Sequence, residues 1–121
     1  MANPNIVNVT RILANTVTGT FISSNTVFVT NPASSGSVYK INSITVTNID
    51  SASNADFNLI INNAGSNTFI IKTVVVPADA ALVAVDKNSG FYLKENSTIG
   101  GAASANDDLS YTISFEQLYD S

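Results

Sequence analysis

Apolar and polar residues alternate along most of this chain, and the alternation is clearest near its end. In DLSYTISFEQL, residues 108–118, polar residues separate the apolar side chains of Leu109, Tyr111, Ile113 and Phe115. Successive side chains of a β-strand point to opposite faces of its sheet, so a period of two predicts a strand that is buried on one face. The other face of this strand carries hydroxyl groups and one glutamate.

Strand patterns of this kind recur at short intervals over the whole chain. Segments rich in asparagine, serine and glycine, such as NPASSGS and GGAASAND, lie between them and favour turns. No segment keeps a helical period over ten residues. The pattern predicts a single all-β domain, an antiparallel β-sandwich or jelly roll over residues 6–121, preceded by an extended arm over residues 1–5. The predicted strands span residues 6–13, 16–22, 26–30, 38–48, 55–62, 68–76, 81–86, 91–94 and 109–116.

Two details of the pattern make the fold prediction more specific. In VYKINSITVTN, Tyr39 and Ile41 alternate in one phase and Ile44 and Val46 in the other, which predicts a β-bulge or a bend inside one strand. The related sequences VFVTN and ITVTN predict two strands that each end in an asparagine turn. The alternation also predicts ten core residues, which are Phe57, Leu59, Ile61, Leu82, Val85, Leu93, Leu109, Tyr111, Ile113 and Phe115.

The composition limits the classes of partner. Charged residues make up 12% of the chain, the net charge is −4, and the five lysine and arginine residues are scattered. Binding to nucleic acid or to an anionic membrane surface requires a cluster of cations, so both are disfavoured. The best candidate for a membrane span, FIIKTVVV, has only eight residues and contains a lysine, so it is too short. The start of the chain lacks the pattern of a signal peptide, and we expect a soluble protein that is made in a cytoplasm and not exported.

The residues that usually carry catalysis are missing or isolated. The chain contains no histidine and no cysteine, so it lacks the commonest general base and the most reactive nucleophile. Glu95 and Glu116 could form a carboxylate pair, but each is expected to be a solvated charge at a sheet edge. DKNSG, residues 86–90, begins like a calcium loop, yet Gly90 comes one position early and Ser97 stands where glutamate is needed. We expect no enzymatic activity, no cofactor and no metal ion.

Several segments resemble one protein family. They are the opening MANPNIVNVT, then SVYKINSITVTN, FNLIINN, VVVPADAALVAVDKNSGFYLKENSTI and LSYTISFEQL. In this order they resemble small β-sandwich virion proteins of tailed phages, especially phages of marine and cyanobacterial hosts. The resemblance implies a structural protein attached to the phage particle, often as a capsid decoration on the exterior of the head. It also implies assembly in the host cytoplasm and the major capsid protein or another virion protein as partner.

The N-terminal arm is the predicted contact with that partner. Proline has no backbone N–H and favours an extended conformation in the residue before it, so the arm is expected to be extended. The arm could add a strand to the open sheet edge of a neighbouring subunit or of the capsid. In the simpler alternative, residues 6–13 are the first strand of the sandwich and the residues before them are disordered. The predicted contact residues are Asn3, Pro4, Asn5, Ile6 and Val7.

Other functions stay open at this point. The alternative is a neck or tail-fibre module that binds host-surface glycans, with Tyr92 and Tyr119 as its exposed aromatic candidates. A glycan site would gather aromatic and carboxylate side chains on one loop cluster, whereas a decoration protein would spread its contacts along an arm or a sheet face. A bacterial surface-layer or adhesin domain is disfavoured by the missing export signal. A homo-oligomer such as a trimer is left open, and the hydroxyl face of the last strand is either solvated or packed against a copy or neighbour.

Overall fold

A computed structural model describes residues 11–86, 88 and 90–119, and β-strands make up most of them. Short turns rich in asparagine, serine and glycine connect the strands, as the sequence predicts. None of the described residues forms a helix of the length and hydrophobicity that a membrane span requires. Within the described residues the strands are β1 (Arg11–Thr20), β2 (Thr26–Asn31), β3 (Ser37–Asn48), β4 (Ala55–Asn63), β5 (Ser66–Val76), β6 (Ala81–Val85), β7 (Phe91–Leu93), β8 (Ser97–Ala103) and β9 (Leu109–Tyr119).

The strands form two antiparallel sheets. The first sheet has the order β1-β9-β3-β6, and β7 also pairs with β3. The second sheet has the order β2-β8-β4-β5. Apart from the β4–β5 hairpin and the β6–β7 connection, consecutive strands lie in different sheets. This strand order is that of a jelly roll with two packed sheets. It confirms the predicted all-β fold, and of the two predicted architectures, sandwich or jelly roll, it identifies the jelly roll.

The core lies between the two sheets and contains the predicted residues. Seven of the ten are buried, and Ile61, Leu82 and Tyr111 are half-buried against the same cluster. Phe21, which the prediction left out of the core, is fully buried in the connection between β1 and β2. Its ring lies 5.5 Å from the ring of Phe57, measured between centroids. The sequence signal was weak here because Gly19 interrupts the series of apolar side chains between Val17 and Phe21.

The predicted change of phase in β3 is confirmed as a β-bulge. The register of β3 against β9 shifts between Ile41 and Ser43, which leaves Asn42 as the extra residue. Ile41 and Ile44 can therefore both point into the core although they are three positions apart, and both are fully buried. The Asn42 amide donates a hydrogen bond of 3.1 Å to Oε1 of Glu116 on the neighbouring strand.

The first predicted strand boundaries are wrong in one respect. Residues 11–13 and 16–20 belong to the single strand β1, which pairs with β9 from Arg11 to Thr20 without a register shift. The sequence predicts a break at Ala14 and Asn15, and the continuous pairing of β1 with β9 overrides it. Residues 1–10, which include the predicted arm, lie outside the described residues.

Strand β8 (Ser97–Ala103) was missed, because its GGAA sequence was interpreted as part of a turn. It lies between β2 and β4 in the second sheet. A Cβ atom at Gly100 would lie 2.4 Å from the carbonyl oxygen of Thr26 on β2, and one at Gly101 would lie 2.1 Å from the carbonyl oxygen of Asn58 on β4. The two glycines therefore permit a close approach of neighbouring backbones in the middle of a sheet.

Candidate functional site

A buried polar cluster closes the end of β2. The side chain of Asn31 is fully buried. Its amide nitrogen donates hydrogen bonds to the carbonyl oxygens of Ser37, at 3.1 Å, and Leu93, at 3.0 Å. Its amide oxygen accepts a hydrogen bond of 2.6 Å from the Ser35 hydroxyl. One asparagine therefore fastens the β2–β3 loop to β7.

Asn48 has the same role at the end of β3. Its amide nitrogen donates to the carbonyl oxygens of Ser53 and Val76, each at 2.9 Å. Its amide oxygen accepts a hydrogen bond of 2.9 Å from the backbone N–H of Asp50. The prediction of two strands that end in asparagine turns is confirmed. Both side chains use their hydrogen-bonding groups to hold loops, so neither is available for a ligand.

Replacing Asn31 with alanine should lower the free energy of unfolding by about 1–3 kcal/mol, because the carbonyl groups of Ser37 and Leu93 would lose a buried donor. The exposed Asn63 at the end of β4 provides the control, since Asn63→Ala removes the same atoms from a solvated position. Urea denaturation followed by circular dichroism would measure both variants. Equal midpoints for Asn31→Ala and Asn63→Ala would contradict the role assigned to the cluster.

The two carboxylates singled out in the sequence do not share a partner. Glu95 is only 4% exposed, so its prediction as a solvated charge is wrong. Its Oε2 accepts a hydrogen bond of 3.0 Å from the backbone N–H of Gly36, and its Oε1 has no hydrogen-bond partner among the described residues. Glu116 is half-buried and accepts from Asn42. The β2–β3 loop covers Glu95, and this tertiary contact leaves no signal in the local sequence.

In the segment that begins like a calcium loop, a local hydrogen bond joins Asp86 and Asn88. The backbone N–H of Asn88 donates a hydrogen bond of 2.9 Å to Oδ1 of Asp86, which is the geometry of an Asx turn. Within residues 11–86, 88 and 90–119, no group of three or more aspartate, glutamate, histidine or cysteine side chains could hold a metal ion. The absence of bound metal and of enzymatic activity stays a prediction.

Two tyrosines have hydroxyl groups that burial holds in the protonated form. Burial raises the pKa of Tyr39 above its ordinary value, and electrostatic interaction with Tyr119 raises it further. The Tyr39 ring stacks on Phe115 with 5.3 Å between ring centroids. Burial also raises the pKa of Tyr111. Neither hydroxyl is therefore prepared for acid–base chemistry near neutral pH.

The two aromatic candidates for glycan binding lie on opposite faces of the first sheet. Tyr92 is 51% exposed on the outer face, where its strand pairs it with Lys40. Tyr119 lies on the inner face at the end of β9, and the guanidinium carbon of Arg11 is 4.2 Å from its ring centroid. Its hydroxyl donates a hydrogen bond of 3.1 Å to Oε1 of Gln117. The structure does not bring the two tyrosines together.

Two surface cavities lie on and beside the second sheet. One, of about 150 Å³, lies over Gly100 and is lined by Val27, Ile60 and several asparagine and threonine residues. The other, of about 460 Å³, lies at the end of the sheet and is lined by small and amide side chains. Neither lining contains an aromatic ring or a carboxylate. These cavities therefore lack the combination that the glycan-binding alternative predicts.

The most unusual surface belongs to the edge strand β1. All six residues from Arg11 to Thr16 are exposed, although a strand in a sandwich normally buries one face. Ile12 is 58% exposed and Leu13 is 43% exposed, and as neighbours in a strand they lie on opposite faces. Among the described residues, β1 pairs only with β9, so its other edge is open. The predicted contacts Asn3 to Val7 precede this strand and lie outside the described residues.

The comparisons with known proteins agree with this fold. No protein-family model matches the chain, and no curated protein matches it. One similar solved structure comes from a study of Bacillus endospore appendages, which form a family of disulfide-linked pili. The two chains are 13% identical, the match covers 91% of this chain and 89% of the other, and the TM-score is 0.52. At this identity the likeness shows the β-sandwich fold alone.

Only some of the buried polar and exposed apolar residues described above could be predicted from the sequence. The asparagine turns were predicted, and the buried Glu95 was not. The exposed apolar pair in β1 could have been noticed, because Ile12 and Leu13 are adjacent and a strand with one buried face has room for only one of them. Membership of the phage virion family stays a prediction, since the comparisons support only the β-sandwich part of that resemblance.

Proposed function

We propose that this protein is a non-enzymatic structural subunit that acts by binding other protein molecules in a large assembly. The observation that carries this proposal is β1, where Ile12 and Leu13 are exposed on opposite faces of a strand whose outer edge pairs with no other strand of the described residues. An open edge can pair with a strand of another chain, and exposed apolar side chains beside it gain free energy when they are covered. Contact with another protein satisfies both features.

The rest of the molecule supports the same class of function. The buried polar side chains of Asn31 and Asn48 hold loops in place rather than line a reactive site. The Bacillus protein with a similar fold forms pili, which are assemblies of many subunits. Those pili are disulfide-linked, whereas this chain has no cysteine. Assembly of this protein therefore cannot use disulfide bonds, and apolar contact would contribute about 25 cal/mol for each Å² buried before entropic costs.

Within this class, we propose that the protein decorates the exterior of a tailed-phage capsid. The resemblance of MANPNIVNVT and the later segments to small phage virion proteins supports this finer assignment. The expected partner is the major capsid protein or another virion protein. The expected contact is the N-terminal arm together with the open edge of β1, and the location is the outside of the particle.

Deleting residues 1–5 should weaken attachment to the particle and leave the fold intact. Residues 1–5 precede the first apolar alternation and contain no side chain that must enter the core, so circular dichroism and the melting temperature should stay nearly unchanged. Cosedimentation of labelled full-length and shortened protein with purified virions would measure attachment, and electron microscopy of intact virions would locate the protein. If the shortened protein decorates virions as well as the full chain does, the contact must come from loops or a sheet face. Absence of the full-length protein from virions would contradict the capsid-decoration proposal itself.

A further inference from the structure

The outer face of the first sheet carries nine hydroxyl side chains in a three-by-three array, called here the hydroxyl face. In the register of the sheet, each row contains one residue from β1, one from β9 and one from β3, and every one of the nine positions is serine or threonine. The rows are Thr16, Ser114 and Ser43, then Thr18, Thr112 and Thr45, then Thr20, Ser110 and Thr47.

Most of these hydroxyl groups are free to bind an external partner. The Thr20 hydroxyl donates a hydrogen bond of 3.0 Å to Oδ1 of Asp107, and the Ser110 hydroxyl donates a long one of 3.5 Å to the carbonyl oxygen of Thr47. The other seven hydroxyl groups have no hydrogen-bond partner among the described residues. Thr112, at the centre of the array, is exposed. Neighbouring groups are spaced by about 4.8 Å across strands and about 6.7 Å along them.

The hydroxyl face contains no charged side chain, although the protein has a net charge of −4. The next row of the same face contains Glu116 on β9 and Lys40 on β3, so two opposite charges border one end of the array. On the β6 side, the row through Thr45 continues into Val83, which is 58% exposed. The nine side chains of the hydroxyl face thus form a neutral, hydrogen-bonding surface, with Val83 at one side and the charged Lys40 and Glu116 beyond one end.

We infer that the hydroxyl face binds the hydroxyl face of a second copy of this protein. A hydroxyl group both donates and accepts, so an array of hydroxyls is complementary to itself in a two-fold contact. Short neutral side chains also cost far less to desolvate than charged ones. Two molecules with a net charge of −4 repel each other, and the nine side chains of the hydroxyl face add no charge to that repulsion.

The size of the hydroxyl face predicts a weak contact. Three strands and three rows cover about 14 Å by 20 Å, on the order of 300 Å² for each partner. A stable protein interface buries about 800 Å² for each partner. Free molecules should therefore associate weakly, and copies already held in one particle should associate more readily because their effective concentration is high. The biological role of this contact rests on the proposed function. The inference adds to that function by naming a second copy of the protein as one partner.

Sedimentation equilibrium of the full-length protein from micromolar to millimolar concentration tests the inference. We expect concentration-dependent dimers. Thr112→Lys should lower the association constant at least tenfold, because it places an unpaired ammonium group at the centre of the contact. Thr98→Lys is the matched control and should leave dimerisation unchanged. Thr98 lies on the outer face of β8, which is a central strand of the second sheet as β9 is of the first. If Thr112→Lys fails to fold by circular dichroism, Thr18→Lys on the exposed strand β1 replaces it.

The outcomes separate this inference from the proposed function. A protein that stays monomeric at every concentration overturns the inference, and so does a Thr112→Lys variant that dimerises like the wild type. Equal loss of dimerisation in Thr98→Lys would also overturn it, because the effect would then not be specific to the hydroxyl face. Virion binding without self-association would leave the proposed function intact. Self-association without virion binding would contradict capsid decoration and leave the two-fold contact standing.

Discussion

Ile113→Ala should lower the free energy of unfolding by about 2–5 kcal/mol. Ile113 is fully buried in β9, the strand between β1 and β3. In the register of the sheet its neighbours are Val17 on β1 and Ile44 on β3. Removing three carbon atoms from this position would lose their burial and leave a cavity that two paired strands cannot close.

Thr112→Ala is the control for this experiment, because Thr112 is the adjacent residue in the same strand and points away from the core. Its change in stability should stay within about 1 kcal/mol, the range of β-propensity between threonine and alanine. Guanidinium denaturation followed by circular dichroism measures both variants under the same conditions. A loss for Ile113→Ala as small as that for Thr112→Ala would show that the inner and outer faces of β9 are assigned the wrong way round.

Gly101→Val should destabilise the protein by about 3 kcal/mol or more, at the upper end of the range for overpacked positions. A Cβ atom at Gly101 would lie 2.1 Å from the carbonyl oxygen of Asn58 and 3.3 Å from the ring of Phe21. The carbonyl group belongs to the backbone of the adjacent strand, so it can move only if the pairing of β8 with β4 is disturbed. A large fall in melting temperature, or loss of soluble protein, is the expected result.

Thr98→Val tests whether valine is harmful in β8 for some other reason. Thr98 lies on the same strand with its side chain on the outer face of the sheet, and valine there has nearly the same shape as threonine. We expect little change in melting temperature for this control. If Gly101→Val melts at the temperature of the control, the backbones of β8 and β4 are not as close as the structure places them.

Local alternation was enough to predict most of the strands, because a strand with one buried face repeats every two residues wherever it lies in the fold. It placed β9 and its core residues correctly, and its change of phase located the bulge at Asn42. The asparagine turns after VFVTN and ITVTN were also predictable, since asparagine accepts and donates hydrogen bonds in a turn. Each of these features depends on residues within one short segment.

Features that depend on distant residues were missed or misread. Strand β8 resembles a turn in sequence, and its glycines are explained only by the backbones of β2 and β4 on either side. In the sequence, Glu95 has the features of an ordinary surface charge. In the structure the β2–β3 loop covers it, and the backbone N–H of Gly36 donates a hydrogen bond to its carboxylate. No local pattern of hydrophobicity or propensity contains information about such neighbours.

The hydroxyl face combines a feature that the sequence predicts with one that only the tertiary structure determines. The alternation determined that residues 16–20, 43–47 and 110–114 each present hydroxyl groups on one side of a strand. Only the tertiary structure decided that these three segments lie side by side in one sheet, in a register that aligns their hydroxyl groups in rows. The physical reason is that the side-chain period is a property of a single strand. Strand order and register are instead set by the free energy of the whole core, to which residues about one hundred positions apart contribute together.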